Sequence, residues 1–340
     1  RRLRGGRTKK LELKDRGIME KSLKKGNRFS TLIRKTGVLW VMIVLYAVSV
    51  CVDPSHFLTG RNQINLLRNI SLNGIIGLGM TFIILTGGID LSVGSTVSVV
   101  AVSVAALLKN GVNPFLAVLA GILIGAAIGL INGLGVTKGK IPAFIMTLGT
   151  MTALEGVALI ISAGKPVSWT ESGIDFTWIG QKSLLGVPVV AFLFVILLLV
   201  CAFVLRYTPF GRGVYAIGDN KSAAKLCGIN TFGVETLAYV IGGVLAAVTA
   251  IVYISRLNVG GPTVGNSMEM DAISITVIGG TSTSGGTGGV FGTLIGAGII
   301  VIISNILNLL GVTAFVQQVV EGLIIILAVL LERLRDNRKS

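Results

Sequence analysis

The sequence predicts an all-α, polytopic transmembrane helical bundle of about ten spans, in which some helices are broken by glycines. The chain is 52% hydrophobic and only 13% charged, whereas about a quarter of the residues of a soluble domain are charged. Its apolar residues come in blocks, and about 20 such residues cross the roughly 30 Å hydrocarbon core of a bilayer. Two glycine-containing interruptions, at residues 86–95 and 279–286, separate long apolar blocks.

The positive charge is concentrated toward the ends of the chain. Residues 1–35 contain 14 Lys and Arg against three acids, and basic flanks stay on the cytosolic side of a membrane. We therefore expect cytosolic tails at residues 1–36 and 333–340. Residues 1–18 precede Met19 and are either native or an upstream extension. An even number of spans then places both termini in the cytoplasm, with the bundle in the inner or plasma membrane.

The apolar blocks define the spans in order. A short interfacial helix is expected at residues 62–69, where apolar side chains recur at helical spacing. Residues 164–186 form the longest external loop, with Trp169 and Trp178 at the membrane interface. The predicted spans are residues 37–51, 70–85, 91–108, 114–136, 141–163, 187–205, 236–255, 272–278, 290–310 and 313–331.

Small residues mark one helix-packing surface. Gly121, Gly125 and Gly129 form two overlapping G-x-x-x-G steps in the fourth span. Such a face lets another helix approach closely. We therefore predict that this span packs tightly against a neighbour.

The first interruption contains an acid, Asp90, between the second and third spans. An aspartate near the centre of a bilayer costs about 2.5 to 3.5 kcal/mol on insertion scales, so its carboxylate must be satisfied. One interpretation is a helix cap, with the carboxylate accepting from the free N–H groups that open the third span. The other is a polar group beside a substrate path, and one residue could serve both roles.

The second interruption follows an apolar segment, 272–278, that is too short to cross alone. The crossing must therefore continue through residues 279–286 as irregular backbone, which is tolerated at depth only where protein or water satisfies it. Both interruptions lie on segments that run in the same direction across the membrane. The two interruptions also align loosely with each other, which is one sign of an internal duplication. Interrupted segments at corresponding positions of such a duplication are typical of a substrate pathway.

The segment 206–235 is the most informative soluble part. Asp219 or Asn220 can cap a short helix there and Gly228 can end it. Two turns of helix are marginal alone in water. The segment is therefore either a solvated connector or a helix that rests on another protein.

The sequence offers little catalytic or metal-binding chemistry. It has no G-x-x-x-x-G-K-[ST] motif for nucleotide phosphates, one histidine and three scattered cysteines. We expect no metal, no cofactor, no enzymatic activity and no nucleic-acid partner, because few aromatic residues accompany the basic tail. The intramembrane acids Asp90, Glu155 and Glu321 are either hydrogen-bonded interior groups or a proton relay.

Four stretches together resemble the ribose-type sugar permeases of bacterial ABC importers. They are residues 86–95, 211–229, 270–282 and 308–312, and the similarity covers roughly residues 37–332 as one transmembrane permease domain. The resemblance implies a second permease subunit, ABC ATPase subunits on the cytosolic side and an extracytoplasmic sugar-binding protein. It also implies that 206–235 is a cytosolic coupling loop, whose ATPase-coupling residues are Gly211, Arg212, Gly218, Asp219, Asn220, Ala223, Ala224 and Gly228.

The expected function is import of a neutral sugar by alternating access, driven by ATPase subunits in trans. Sugars need directional hydrogen bonds, which hydroxyl and amide side chains supply. The rival hypothesis is a proton-coupled secondary transporter that uses the three intramembrane acids. The candidate substrate-pathway residues are Asn73, Asp90, Ser92, Ser95, Asn132, Thr281, Ser282, Asn305 and Asn308.

Overall fold

A computed structural model describes residues 37–336, so the predicted tail at 1–36 and the last four residues of the predicted tail at 333–340 lie outside the described residues. Residues 333–336 continue the last helix, Ala314–Asp336, instead of starting a separate tail. Helices dominate the described part, as predicted. The helices are α1 (Gly37–Val52), α2 (Pro54–Phe57), α3 (Gly60–Leu85), α4 (Val93–Lys109), α5 (Pro114–Thr137), α6 (Ala143–Ser162), α7 (Val189–Tyr207), α8 (Pro209–Leu226), α9 (Thr231–Leu257), α10 (Met268–Ile278), α11 (Val290–Leu309) and α12 (Ala314–Asp336).

By length and composition, six helices among the described residues can cross a membrane: α3, α5, α6, α7, α9 and α11. Shorter apolar helices are Gly37–Val52, Val93–Lys109 and, within α12, Ala314–Ile324. Large apolar side chains of α5, α6 and α7 face outward from the bundle. In water such a surface would be unfavourable, whereas in lipid it is the expected one. The fold is therefore an all-α membrane helical bundle.

The centre of the bundle is built by α3 and α9. The second half of α3 is almost wholly buried, and α9 is buried along most of its length. The predicted separate interfacial helix at 62–69 is wrong, because α3 runs without a break from Gly60. Thr59 caps its first turn by accepting from the Asn62 N–H at 3.3 Å, and the sequence has no proline that would end the helix before the apolar block.

Close glycine packing joins α5 to α9, as the G-x-x-x-G pattern predicted. A Cβ on Gly125 would overlap the Gly243 carbonyl oxygen and lie 2.7 Å from Ala247 Cβ, and one on Gly129 would overlap the Tyr239 carbonyl oxygen. Only glycine allows the two backbones to come this close. The contact fixes α5 against the central helix.

The loops predicted to be external contact one another. Strand β1 (Val167–Ser168) pairs antiparallel with β4 (Val259–Gly260), and β2 (Ser183–Leu184) pairs with β3 (Val187–Pro188). Ser255 at the end of α9 donates to the Phe176 carbonyl at 2.6 Å. The loop therefore covers one end of the bundle.

Trp169 corrects one prediction for this loop. It was expected at the membrane interface, but it is 1% exposed and belongs to the hydrophobic core. Its ring packs edge-on against Phe176, with ring centroids 6.0 Å apart. Trp178, in contrast, is 51% exposed. The difference arises because the loop folds inward at Trp169, which the local sequence does not show.

The segment 206–235 is far more helical than predicted. Helix α7 continues to Tyr207, Thr208 caps α8, and α9 begins at Thr231, capped by Asn230. The expected two-turn helix is therefore the second part of a longer one, α8, which kinks where Asn220 leaves the helical conformation. Pro209 at the first position of α8 suits a helix start, because its missing N–H is not needed there.

Candidate functional site

The two interruptions of the bundle meet in space. The first joins α3 to α4, and the second, residues 279–289, joins α10 to α11. The Gly286 N–H donates to the Leu85 carbonyl at 3.0 Å, and a Cβ on Gly285 would lie 2.9 Å from the Gly87 nitrogen. Gly285 and Gly286 have positive φ values of 88° and 69°, a conformation that favours glycine. The irregular backbone of each break is therefore packed against the other.

Helix α8 lies against both breaks at Gly218. A Cβ added to Gly218 would overlap the Leu85 carbonyl oxygen and the Gly286 nitrogen. On the other side of the contact, a Cβ on Gly286 would lie 2.8 Å from the Asp219 nitrogen. We call this contact of residues 85–87, 218–219 and 285–286 the three-segment junction. Its partners are backbone atoms, so a side chain at Gly218 would push the segments apart.

Two side-chain contacts strengthen the attachment of α8. The Tyr215 hydroxyl donates to the Gly288 carbonyl at 3.0 Å, and burial raises the pKa of this phenol, which keeps its proton for donation. Lys221 forms a 2.7 Å ion pair with Glu235 of α9. The Glu235 side chain is only 8% exposed, so the pair is better shielded than an ordinary surface pair.

The remaining part of α8 is presented outward. Asn220 caps this part, because its Oδ1 accepts from the Ala223 N–H at 2.9 Å, and Gly228 follows its end with a φ of 82°. Ala223 is exposed and Ala224 is buried. Leu226 is 90% exposed.

The first part of α8 is held closely to α7. A Cβ on Gly211 would overlap the carbonyl oxygens of Leu205 and Val204. Arg212, the next residue, is exposed. The predicted coupling residues therefore divide into a buried set that faces the bundle and an exposed set that faces away from it.

Asp90 is the centre of a buried polar network. It is 2% exposed, and its Oδ1 accepts from the Ser92 N–H at 2.8 Å and the Ser92 hydroxyl at 2.7 Å. Asn132 of α5 donates to the Ser92 hydroxyl oxygen at 2.7 Å, and its own Oδ1 accepts from Thr150 of α6 at 2.7 Å. Ser95 donates to the Ser92 carbonyl at 2.9 Å. The network ties the first break to α5 and α6.

The helix-cap interpretation of Asp90 needs a small correction. Helix α4 begins at Val93, two residues after the predicted start of the third span, and Ser92 is its capping residue. Asp90 therefore accepts from the N–H of the cap residue instead of capping α4 itself. The sequence could not place this start, because an apolar Leu91 within the turn extends the apolar block.

The other predicted pathway residues lie in separate places. Asn305 and Asn62 exchange side-chain hydrogen bonds of 2.8 and 3.1 Å, and the Asn308 Oδ1 accepts from Gln317 at 2.9 Å. In the second break, Thr281 is 1% exposed and its hydroxyl has no partner among the described residues, while the Ser282 N–H donates to the Thr287 carbonyl at 2.8 Å. Among the described residues, no hydrogen bond joins these side chains to the Asp90 network.

Asn73 lies beside a cavity of about 260 Å³ between α3, α9 and the start of α10. Arg256 and Asn69 both line the cavity, and the Arg256 guanidinium donates to the Asn69 Oδ1 at 2.7 Å. Gln181 of the long loop donates to the Arg256 carbonyl at 3.0 Å. The lining residues are Asn69, Leu72, Asn73, Thr249, Tyr253, Arg256, Leu257 and Met268.

Several of these residues were missed by sequence reasoning. Tyr215 lies within the resembling stretch 211–229, so its position was available, but its contact with Gly288 was not. Tyr253 lies near the end of the predicted span 236–255 and Arg256 follows it directly, and no local pattern shows that both line a cavity. Among the described residues, no group of three or more His, Cys, Asp or Glu side chains could hold a metal ion.

Comparison with known proteins identifies the family. The family model described as branched-chain amino acid transport system / permease component matches residues 62–329. The chain is 44% identical over 305 residues to the ribose import permease protein of Bacillus subtilis (strain 168), which covers 90% of this chain and 94% of that protein. It is 37% identical over 316 residues to the D-allose transport system permease protein of Escherichia coli (strain K12), with 93% and 96% covered. No solved structure matches. The chain belongs to this permease family, as a member of the ribose-type sugar permeases of ABC importers.

Proposed function

We propose that this chain is the membrane subunit through which an ABC importer moves a neutral monosaccharide into the cell. The named substrates of its relatives, ribose and D-allose, support this substrate class. The observation that carries the mechanism is the three-segment junction, because it links α8 directly to both breaks of the bundle. The chain would supply the pathway, and ATPase subunits would hydrolyse ATP.

We infer ten crossings with both termini in the cytoplasm. The six long apolar helices, α1, α4, α12 and the short α10 with the break that follows it make up this number. In this topology both breaks and α8 fall on the cytosolic side, and the paired loops 163–188 and 258–267 fall on the outer side. The contacts within each group agree with this arrangement, since each brings together segments assigned to one side.

Helix α8 would then receive the ATPase. Its exposed part presents Ala223 and Leu226 away from the bundle, which leaves both side chains free to contact a partner protein. Its buried part contacts both breaks through Gly218. A displacement of α8 by the ATPase would therefore move the ends of α3 and α10 together, without any long chain of side chains between them.

The Asp90 network would hold the first break in place during this movement. It joins Asp90, Ser92, Asn132 and Thr150 by bonds of 2.7 to 2.8 Å. Buried and satisfied networks of this kind fix one conformation of the backbone. Ser95 lies in the first turn of α4 and the buried hydroxyl of Thr281 lies in the second break, and we assign both to the inner end of the sugar pathway.

The other partners follow from the importer architecture. A second permease subunit would cover the exposed apolar surface that α6 presents, and lipid would cover the rest. A sugar-binding protein would dock on the outer loops, where Leu185 is 95% exposed. Asn305 and Asn308 lie at the outer end of α11 in this topology, and we assign them to the entrance.

Uptake by reconstituted protein tests the proposal. We expect proteoliposomes that contain this chain with its ATPase subunits to accumulate labelled D-ribose, D-allose or L-arabinose only when ATP is inside and the sugar-binding protein is outside. A pH gradient across the same membranes should drive no uptake. Accumulation by this chain alone on a pH gradient would instead support the proton-coupled transporter that uses Asp90, Glu155 and Glu321.

A further inference from the structure

The cavity beside Asn73 contains polar groups without protein partners. Asn73 and Tyr253 are half-buried and line the cavity, yet neither side chain has a hydrogen-bond partner among the described residues. Their polar atoms are not among the buried unpaired ones, so they open to the space of the cavity. An amide and a phenol facing the same small space therefore offer hydrogen bonds to a polar occupant, either water or a ligand.

The size and lining of the cavity fit a monosaccharide. Its volume is about 260 Å³, which at roughly 30 Å³ per water equals about nine waters, comparable to the roughly ten to twelve non-hydrogen atoms of a pentose or hexose. Tyr253 provides a hydroxyl, Asn69 and Asn73 provide amides, and Arg256 provides N–H donors beyond its bond to Asn69. The Thr249 hydroxyl already donates to the Leu245 carbonyl at 3.0 Å. A sugar hydroxyl both donates and accepts, so it can satisfy all three group types.

The apolar part of the lining adds to this fit. Leu72, Leu257 and Met268 form the other walls, and the C–H faces of a sugar ring need such surfaces. Ligand pockets of this kind combine an apolar lining with a few polar groups that fix orientation. Arg256 is the only charged residue in the lining, and its pairing with a neutral amide leaves the cavity positively charged, so an anionic ligand is the competitor to be tested.

We propose that this cavity is a sugar-binding site on the outer side of the permease, with Asn73, Tyr253 and Arg256 as its ligand-contacting residues. The inference rests on the proposed function and deepens it by naming where the sugar released by the binding protein first binds. The site lies beneath the loop that Gln181 ties to the end of α9. Sugar would enter past this loop and leave toward the junction of the two breaks.

A cysteine-protection experiment tests the site without relying on transport. Leu257 lines the cavity and is 48% exposed, so Leu257→Cys, in a chain whose cysteines 51, 201 and 227 are replaced by alanine, can be labelled from outside by a membrane-impermeant thiol reagent. We expect D-ribose or L-arabinose to slow this labelling in the complex with its ATPase subunits. The control is His56→Cys, 72% exposed on the outer turn between α1 and α3, whose labelling the sugars should leave unchanged.

Variants of the lining complete the test. Tyr253→Phe and Asn73→Ala each remove hydrogen-bonding groups, so the sugar concentration for half protection should rise by roughly 2- to 12-fold. Asn266→Ala, an exposed position outside the cavity lining, should leave it unchanged. If Tyr253→Phe and Asn73→Ala do not weaken the protection by sugar, the assignment is overturned. It is also overturned if D-ribose 5-phosphate protects the cysteine and D-ribose does not. If the wild-type complex imports these sugars but no sugar protects Leu257→Cys, the cavity assignment fails and the proposed function stands. If the wild-type complex imports no sugar, the proposed function itself fails.

Discussion

At the scale of single residues, the same hydrogen-bonding pattern occurs at a buried and at an exposed aspartate. Asp90 accepts from both the N–H and the hydroxyl of Ser92, and Asp175 accepts in the same way from Thr177 at 3.0 and 2.6 Å. The Thr177 hydroxyl lowers the pKa of Asp175, whose side chain is 66% exposed. Asp90 is 2% exposed, so its bonds have no water to replace them.

This difference predicts unequal costs for the same substitution. Asp90→Ala should destabilise the protein by about 1 to 3 kcal/mol, because the buried N–H of Ser92 loses its acceptor. Asp175→Ala, with the matched but exposed pattern, should cost less than about 1 kcal/mol, because water takes over the bonds. Asp90→Asn keeps one acceptor oxygen and should lie between them. Thermal unfolding of the purified variants measures all three, and equal midpoints for Asp90→Ala and Asp175→Ala would contradict the role given to burial.

At the scale of elements, the sequence predicted which segments are helices better than where they begin and end. Apolar blocks of the right length identify a membrane helix, because the bilayer thickness sets that length. The start of α3 at Gly60 and the helical continuation through α8 were missed, since polar residues there are stabilised by capping and by contacts with other helices. The glycine face of α5 was predicted, because close helix contact leaves a local signature.

The α5–α9 contact gives a prediction at this scale. Gly125→Val should destabilise the bundle by about 1 to 3 kcal/mol, the usual cost of overpacking, because its Cβ would meet the backbone of Gly243 and the side chain of Ala247. The matched control is Gly322→Val on α12, where an added Cβ meets nothing within 4 Å. Thermal unfolding and the fraction of monodisperse protein after detergent extraction compare the two. A control variant as unstable as Gly125→Val would show that glycine packing is not the cause.

At the scale of the whole molecule, the two breaks and α8 form one unit although more than 190 residues separate Gly87 from Gly285 in the numbering. The sequence predicted both breaks, since glycine-rich turns are local signals, whereas the coupling role of 211–229 was implied only by the family resemblance and stays a prediction. It could not predict that the three segments touch, or that Asn73, Tyr253 and Arg256 line one cavity. Contacts between distant segments depend on helix packing, which local patterns do not record.

The most direct test of the account is the activity of Gly218→Ala in the reconstituted importer. The added Cβ would overlap the backbone of Leu85 and Gly286, so α8 should no longer fit against the two breaks. We expect ATPase stimulation by the sugar-loaded binding protein and sugar uptake to fall by about tenfold or more, within the usual range of coupling energies, while the ATPase still co-purifies with the permease. Gly60→Ala, where an added Cβ meets nothing within 4 Å, should behave like wild type. Full stimulation and uptake by Gly218→Ala would contradict the central claim that α8 acts through the three-segment junction.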